Sequence, residues 1–317
     1  DKRRVSTNDA YLEPVRDNSG LQVIGDALVD RILVEGGRAV GVRAIVAGKP
    51  TEFRASEVVV SAGAIHSPAI LLRSGIGPAL GLKRLGIRQV ADLPVGLNLQ
   101  DHPSIFLAAV LKEPLDYGSN PSRGQLCLRF STDVDEHVND AMIAVTGALG
   151  IGVPVAGIAG WGNRVTSTGS IELTSMDPAA DPLVDFNMLT GPGDMQRFRV
   201  IVDELRKLAL QPDLLGVTES LAVTGVSGGT IAPDVNLSDN EFADFALANV
   251  ADTVHACGSC RMGDPADPQV VVDPEGRVLG IDGLRVADAS VFPWVTRANT
   301  NLTAILVGEK VAASMRG

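Results

Sequence analysis

The chain has 317 residues, long enough for one large or two ordinary domains, each with its own core. Its 45% apolar and 21% charged content excludes a disordered chain, and 27 Lys and Arg against 38 Asp and Glu leave a net charge of −11, which argues against a nucleic-acid or anionic-membrane surface. Three cysteines cannot build a disulfide framework at this length and fit a reducing, cytoplasmic setting.

The chain opens on Asp1-Lys2-Arg3-Arg4 and then polar residues, without the apolar stretch of a signal peptide. A lead-in over residues 4–12 precedes a strand predicted at residues 21–25. Residues 27–34 read as the next strand, turned at Glu35-Gly36-Gly37-Arg38 into a return strand over 39–46. Residues 58–63 are apolar without alternation, which predicts a strand buried on both faces in a parallel sheet. Ser67 as N-cap and Pro68 at N1 predict a helix start, with the stop near Ser74 and a left-handed cap at Gly75.

From about Pro103 the chain turns to apolar segments joined by Gly- and Pro-rich connections. Residues 142–161 lack charge but carry five glycines and Pro154, which fits two strands and a loop better than a membrane span. A helix is predicted over 194–210, capped by Asp194, with Phe198, Ile201, Val202, Leu205 and Leu208 at helical spacing. Residues 251–263 pass into a glycine-containing loop, 270–272 and 284–288 read as short strands, and 301–315 as a closing helix with Leu302, Ile305, Leu306 and Val311 near one stripe.

Several motifs invite chemistry and fail on context. Cys257-Gly-Ser-Cys260 lacks a second ligand cluster for a metal and a helix start for dithiol chemistry. Gly75-Ile-Gly77-Pro-Ala-Leu-Gly81 has the wrong spacing for a dinucleotide loop and follows a helix. Gly225-Val-Ser227-Gly-Gly229 matches a nucleophile elbow, but Pro233 blocks a long helix after it. Asp177, Asp181 and Asp185, beside Pro178 and Pro182, are explained by turn chemistry. His255 and Asn299 remain, in loops on either side of the 284–288 strand. A His near neutrality suits proton acceptance, and an Asn amide can donate to an oxygen gaining charge.

Five segments in order resemble the glucose–methanol–choline (GMC) oxidoreductases. They are the run from Gly63 to Gly77, Asn98-Leu-Gln-Asp-His102, the run from Ser167 to Pro178, the run from His255 to Gly263, and residues 284–290 with Asn299-Thr-Asn301. The likeness is greatest to the aryl-alcohol and hydroxymethylfurfural oxidase branch, with choline dehydrogenases next. Ser259 stands where the family usually has Thr, and Thr303 where it commonly has Pro.

The resemblance implies an α/β plus α+β fold. A Rossmann-like FAD-binding domain would be assembled from 1–102 and 251–317, and an antiparallel-sheet substrate domain from 103–250. It implies only the C-terminal portion of a family member, with the N-terminal dinucleotide-binding βαβ unit missing or carried by a companion chain. The implied activity is that of an FAD-dependent alcohol oxidase or dehydrogenase. His255 would accept the hydroxyl proton while hydride passes to flavin N5, and Asn299 would orient the alcohol oxygen. Cofactor contacts are implied at Val29, Asp288, Ala289, Asn299, Thr300 and Asn301, with the last helix aiming its N-terminus at the flavin. The other readings are an FAD-containing hydroxynitrile lyase and a non-catalytic partner subunit. No metal, nucleic acid or membrane is expected. Few aromatics disfavour a quaternary-ammonium cage and favour a small aryl or aliphatic primary alcohol.

Overall fold

The structure is a computed structural model and describes residues 5–113, 126–148 and 155–316. The opening residues 1–4 and the connection expected at residues 149–154 lie outside these. Among the described residues, no helix is long and apolar enough to cross a membrane.

Strands β1 (Ala27–Glu35), β2 (Arg38–Val46) and β3 (Lys49–Arg54) form an antiparallel sheet in that order. Gly36 and Gly37 both take positive φ, as a two-residue turn matched to strand twist requires. A second such turn, Ala47-Gly48, adds β3, which the sequence reading did not foresee because Ala47 rarely takes positive φ. Residues 21–25 are not a strand; Leu21, Val23 and Ile24 are exposed and have no strand partner.

β4 (Val58–Val60) pairs in parallel with the distant β13 (Leu284–Val286); the elements between these two are given below. The parallel pairing agrees with expectation, but burial on both faces does not. Val58 and Val60 are buried, whereas Val59 is 40% exposed, because no layer covers that face among the described residues.

Helix α1 (Gly63–Arg73) starts four residues before the predicted N-cap at Ser67. The start is set from afar. Asp288 Oδ2 accepts from the Gly63 N–H at 2.9 Å and also from the Ser67 hydroxyl, whose oxygen accepts from the Ala62 N–H at 2.9 Å. Pro68 therefore lies inside the helix and cannot donate to the Ala64 carbonyl. The buried Ser259 hydroxyl donates to that carbonyl instead. Replacing Ser259 with alanine should leave the carbonyl unpaired and cost about 1–3 kcal/mol, read as a lower midpoint in urea unfolding at unchanged slope. The Thr replacement keeps the hydroxyl and should restore most of that loss. At its other end α1 closes as predicted: Gly75 has φ +84°, Ile76 N–H bonds to Leu71 O and Gly75 N–H to Leu72 O.

After the short α2 (Ala79–Arg84), strands β5 (Ser104–Leu111), β6 (Leu126–Phe130), β7 (Ala141–Ala148) and β8 (Val155–Gly162) enter a six-stranded antiparallel sheet. Beyond them come β9 (Ser170–Glu172), β10 (Leu183–Asp185), α3 (Asp194–Ala209), α4 (Pro212–Val217), β11 (Thr218–Thr224), β12 (Thr230–Ile231) and α5 (Asp239–Asn249). The sheet order is β12-β11-β5-β8-β7-β6. Helix α3 lies on it with Phe198, Ile201, Val202 and Leu205 buried, as the helical spacing predicts. Gly160 in β8 permits this approach, since a Cβ there would sit 2.7 Å from Ile201.

Asp194 does not cap its own helix; Gly193 holds the N-cap position. The Asp194 carboxylate instead accepts from the backbone N–H groups of Thr166 and Ser167, from the Ser167 hydroxyl and from Arg197. Arg197 is 1% exposed and binds three carboxylates: Asp140 at 2.8 Å, Asp135 at 3.0 Å and Asp194 at 3.2 Å. The Ser227 hydroxyl donates to Asn249 Oδ1 at 2.6 Å in the β11–β12 turn, so the Gly225–Gly229 run is a hairpin connection without an elbow.

Residues 270–272 are buried but carry only one bridging residue, Val272, so they are not a strand. The last helix, α6 (Asn301–Ser314), buries Val307 and Val311. Leu302 is 79% exposed and Leu306 also faces outward, so of the expected stripe only Val311, buried, and Ile305, half-buried, turn toward the core.

Besides a small cluster of Met142, Ala144, Ala159 and Trp161, two large hydrophobic cores result among the described residues. One joins residues between Ile32 and Val95 to those between Cys257 and Val311, with Val165 added. The other lies wholly between Ile105 and Ala246.

Candidate active site

Two segments far apart in sequence form a short ladder. Gln100 and Cys257 exchange N–H···O bonds of 3.0 and 2.9 Å, and Ser104 and Ala251 exchange bonds of 2.7 and 2.9 Å. The ladder sets Asp101-His102 against residues 252–255. Asp101 is buried, and its carboxylate collects four donors in addition to this ladder. Oδ1 accepts from the N–H of His102 at 2.7 Å, the N–H of Thr253 at 3.1 Å and the Thr253 hydroxyl at 2.8 Å; Oδ2 accepts from the His255 N–H at 2.9 Å. Burial pushes the carboxyl up to about 6 against the pull of these bonds, which leaves it an anion at neutral pH.

His102 is fully buried. Its Nδ1 lies 3.0 Å from Nδ1 of His255, with the rings edge to face, and its Nε2 lies 2.8 Å from the Thr296 carbonyl. Burial, and then the neighbouring His255, push its pKa down to about 4. His255 is half-buried, and desolvation lowers its pKa as well.

On the open side, Asn299 Nδ2 lies 3.2 Å from His255 Nε2. The loop that carries Asn299 is tied back to the same ladder: the Val295 N–H donates to Gln100 Oε1 at 2.9 Å, and His102 holds Thr296. The structure thus brings together the predicted pair, His255 and Asn299. It adds Asp101, His102 and Thr253, which the sequence reading gave no role. Their only local signal is the Asp-His doublet at 101–102.

The ligand atoms of Asp101, His102 and His255 lie within 4.8 Å of one another, a spacing a metal ion could span. Each of the three residues is already engaged in hydrogen bonds within the cluster, so the group reads as a proton-holding network.

The other predicted positions are spread around this pair. Thr300 is buried and is the N-cap of α6, while Asn301 begins the helix and is exposed. The N-terminus of α6 has no side-chain cap and no acidic residue in its first turn. Its free N–H groups suit an anion. Asp288 is engaged internally: Oδ1 accepts from Ser290 N–H at 2.8 Å, and Oδ2 holds the α1 start. The Ala289 carbonyl accepts from Gly258 N–H at 3.1 Å, which docks the 255–263 loop on this segment. Gly258 needs its positive φ of +85°, and a Cβ there would meet the Asn98 carbonyl at 2.5 Å. Val29 lies in β1 beside α1, where its carbonyl accepts from Arg73, and no hydrogen bond links it to the His255 cluster.

Val254, next to His255, is 88% exposed at φ +60°, an uncommon conformation for a β-branched residue. Trp294 and Leu302, near Asn299 in the chain, are 63% and 79% exposed. Cys257 and Cys260 are buried free thiols whose pKa values burial drives upward, which makes them unreactive. A separate cavity of about 410 Å³ lies between α2 and β9, lined by Leu82, Leu85, Ile87, Val95, Ile171 and Leu173. It is apolar and contains neither His255 nor Asn299, so the chemistry is assigned to the hydrogen-bonded cluster.

Family models described as GMC oxidoreductase match residues 1–104 and 165–308, the first the N-terminal model and the second the C-terminal one. The N-terminal match corrects the expectation that only the C-terminal portion of the family is present. It also gives no support to a missing front unit or to a companion chain. The chain is 37% identical over 324 residues to a 5-(hydroxymethyl)furfural oxidase of Methylovorus sp. (strain MP688), covering 98% of this chain and 60% of that protein. It is 36% identical over 349 residues to an oxygen-dependent choline dehydrogenase of Rhizobium etli, covering 99% of this chain and 61% of that protein. It superposes on the crystal structure of pyridoxine 4-oxidase from Mesorbium loti with a TM-score of 0.85 at 26% identity, over 98% of this chain and 62% of that one. The chain therefore spans about 60% of the length of the curated relatives it matches.

Proposed function

The chain belongs to the GMC oxidoreductase family, and from that premise we propose that its protein oxidises a small primary alcohol with FAD, using His255 as base and Asn299 as the group that orients the alcohol oxygen. The observation that carries this reading is the 3.2 Å approach of His255 Nε2 and Asn299 Nδ2 on the open side of the cluster. An alcohol hydroxyl can give its proton to the first nitrogen while its oxygen accepts from the second.

The residues present fit FAD. The uncapped α6 start offers N–H donors beside Asn299, with about half a unit of positive charge. The exposed Val254, Trp294 and Leu302 offer apolar surface for a flat ring to cover. Thr300 and Asn301, at the α6 start, and the backbone at Asp288 and Ala289 are the positions that would hold it. Val29, in β1, would be a more distant contact. When bound, FAD supplies the hydride acceptor. The chain's own contribution is to place the carbinol, to take the hydroxyl proton at His255 Nε2 and to hold the oxygen through Asn299. Positioning of this kind is worth several kcal/mol of barrier, and a placed base adds about 10²–10⁴-fold.

The two cores support a division into an FAD-binding unit of 1–102 with 251–317 and a substrate unit of 103–250. The unpaired thiols support a reducing, cytoplasmic setting. The deciding experiment is anaerobic mixing of the FAD-loaded protein with a primary alcohol. Bleaching of the flavin absorbance is expected. An unchanged spectrum, with cleavage of a cyanohydrin by the same preparation, would replace this reading with a redox-silent lyase.

A further inference from the structure

A neutral imidazole carries its proton on only one nitrogen, and the geometry around His255 determines which. The Thr296 carbonyl can only accept, so His102 Nε2, 2.8 Å away, carries a proton. His102 is fully buried and stays neutral, which leaves a lone pair on its Nδ1. That lone pair faces His255 Nδ1 at 3.0 Å, and two lone pairs would repel at such a distance. The proton between them therefore belongs to His255.

A second acceptor agrees. The Thr253 hydroxyl gives its hydrogen to Asp101 Oδ1 at 2.8 Å, so its oxygen presents a lone pair to the same His255 Nδ1 at 2.7 Å. Asp101 is fixed in turn by the backbone N–H groups of His102, Thr253 and His255.

The geometry points to His102 and Thr253, the latter aimed by Asp101, as positioning residues that hold His255 in the Nδ1–H tautomer and keep its Nε2 lone pair turned toward Asn299. The inference deepens the reading of His255 as the base and rests on it for its catalytic meaning. The same His102 ring also grips the Asn299 loop through Thr296, so one buried side chain sets both members of the pair.

The tautomer can be read on the resting chain, without turnover. The protein has four histidines, His66, His102, His137 and His255, so ¹⁵N-histidine labelling with long-range ¹H–¹⁵N correlation gives four ring patterns. His255→Gln identifies which of them is His255. The expected pattern is a protonated Nδ1 and an unprotonated Nε2. The double variant His102→Phe with Thr253→Val should convert this into a mixture of tautomers and slow flavin reduction by about 10²-fold. His102→Asn keeps an acceptor toward His255 and a donor toward Thr296, and should restore both readouts. A wild-type His255 protonated on Nε2, or a double variant that keeps pure Nδ1–H, would overturn the inference. Failure of the base reading would show separately, as normal flavin reduction in a His255→Ala protein whose parent shows the Nδ1–H pattern.

Discussion

Replacing His255 with alanine should slow reduction of bound FAD by a primary alcohol by about 10²–10⁴-fold, while stability falls by no more than about 1–3 kcal/mol, the cost of leaving the buried His102 Nδ1 without its donor. The side chain is half-buried at the open rim of its cluster, so its loss empties little core. Its Nε2 faces Asn299 and, among the described residues, has no other hydrogen-bond partner. Desolvation holds the imidazole below the usual histidine range, so the wild-type base is free at neutral pH. The wild-type rate should be full above that lowered pKa and fall as acid protonates Nε2. The alanine variant should lose this acid limb along with the rate. Stopped-flow absorbance across a pH series reads both. A variant within a few-fold of wild type, with the acid limb intact, would remove His255 from the mechanism.

The largest effect on stability should follow Arg197→Met. The methionine fills the space of the stem but leaves Asp135, Asp140 and Asp194 without their shared cation. Breaking a buried ion pair from one side costs about 3–5 kcal/mol, because a charge stays buried without compensation. Urea unfolding should show a loss of that size. Acid should separately weaken the Asp135 contribution, which rests on His137 and Arg164, in a defined direction. Burial raises the Asp135 carboxyl, but hydrogen bonds from His137 and Arg164 outweigh it and hold it down at about 2. A depressed carboxylate stabilises the fold above its unfolded pKa, near 4, and that contribution is lost as pH falls toward 2. A variant as stable as wild type at neutral pH would mean that the three carboxylates find other donors.

What could be read in the sequence was local. The Gly36-Gly37 turn, the Gly75 cap and the apolar spacing of α3 each depend on neighbours within a few residues, and each stands where expected. Predictions failed where a distant group decides. Ser67-Pro68 is a sound helix start by local rules, yet Asp288, more than 200 residues on, moves the start to Gly63. Asp194 is a sound cap by local rules, yet Thr166, Ser167 and Arg197 claim it. The pairing of His255 with Asn299 was legible only through resemblance, since nothing in a 44-residue separation reports a 3.2 Å contact. Nothing local to His102 reports its 3.0 Å contact with a partner 153 residues on, for the same reason. The exposure of Leu302 and Leu306 escaped a pattern reading, because periodicity identifies an apolar stripe without saying what covers it.

The parallel pairing of β4 with β13 also has a bearing on biosynthesis. The Ala287 N–H that bonds to Val60, and the Asp288 carboxylate that anchors Gly63, leave the ribosome more than 220 residues after their partners. At translation rates of about 5–20 residues per second, the early half of that core waits on the order of 10–45 seconds for its closing strand. The intervening sheet and α3 draw on one continuous stretch of chain and need no such wait. The segment that emerges in the middle can therefore be the first to fold, while the older residues stay open to chaperones until the last strand arrives.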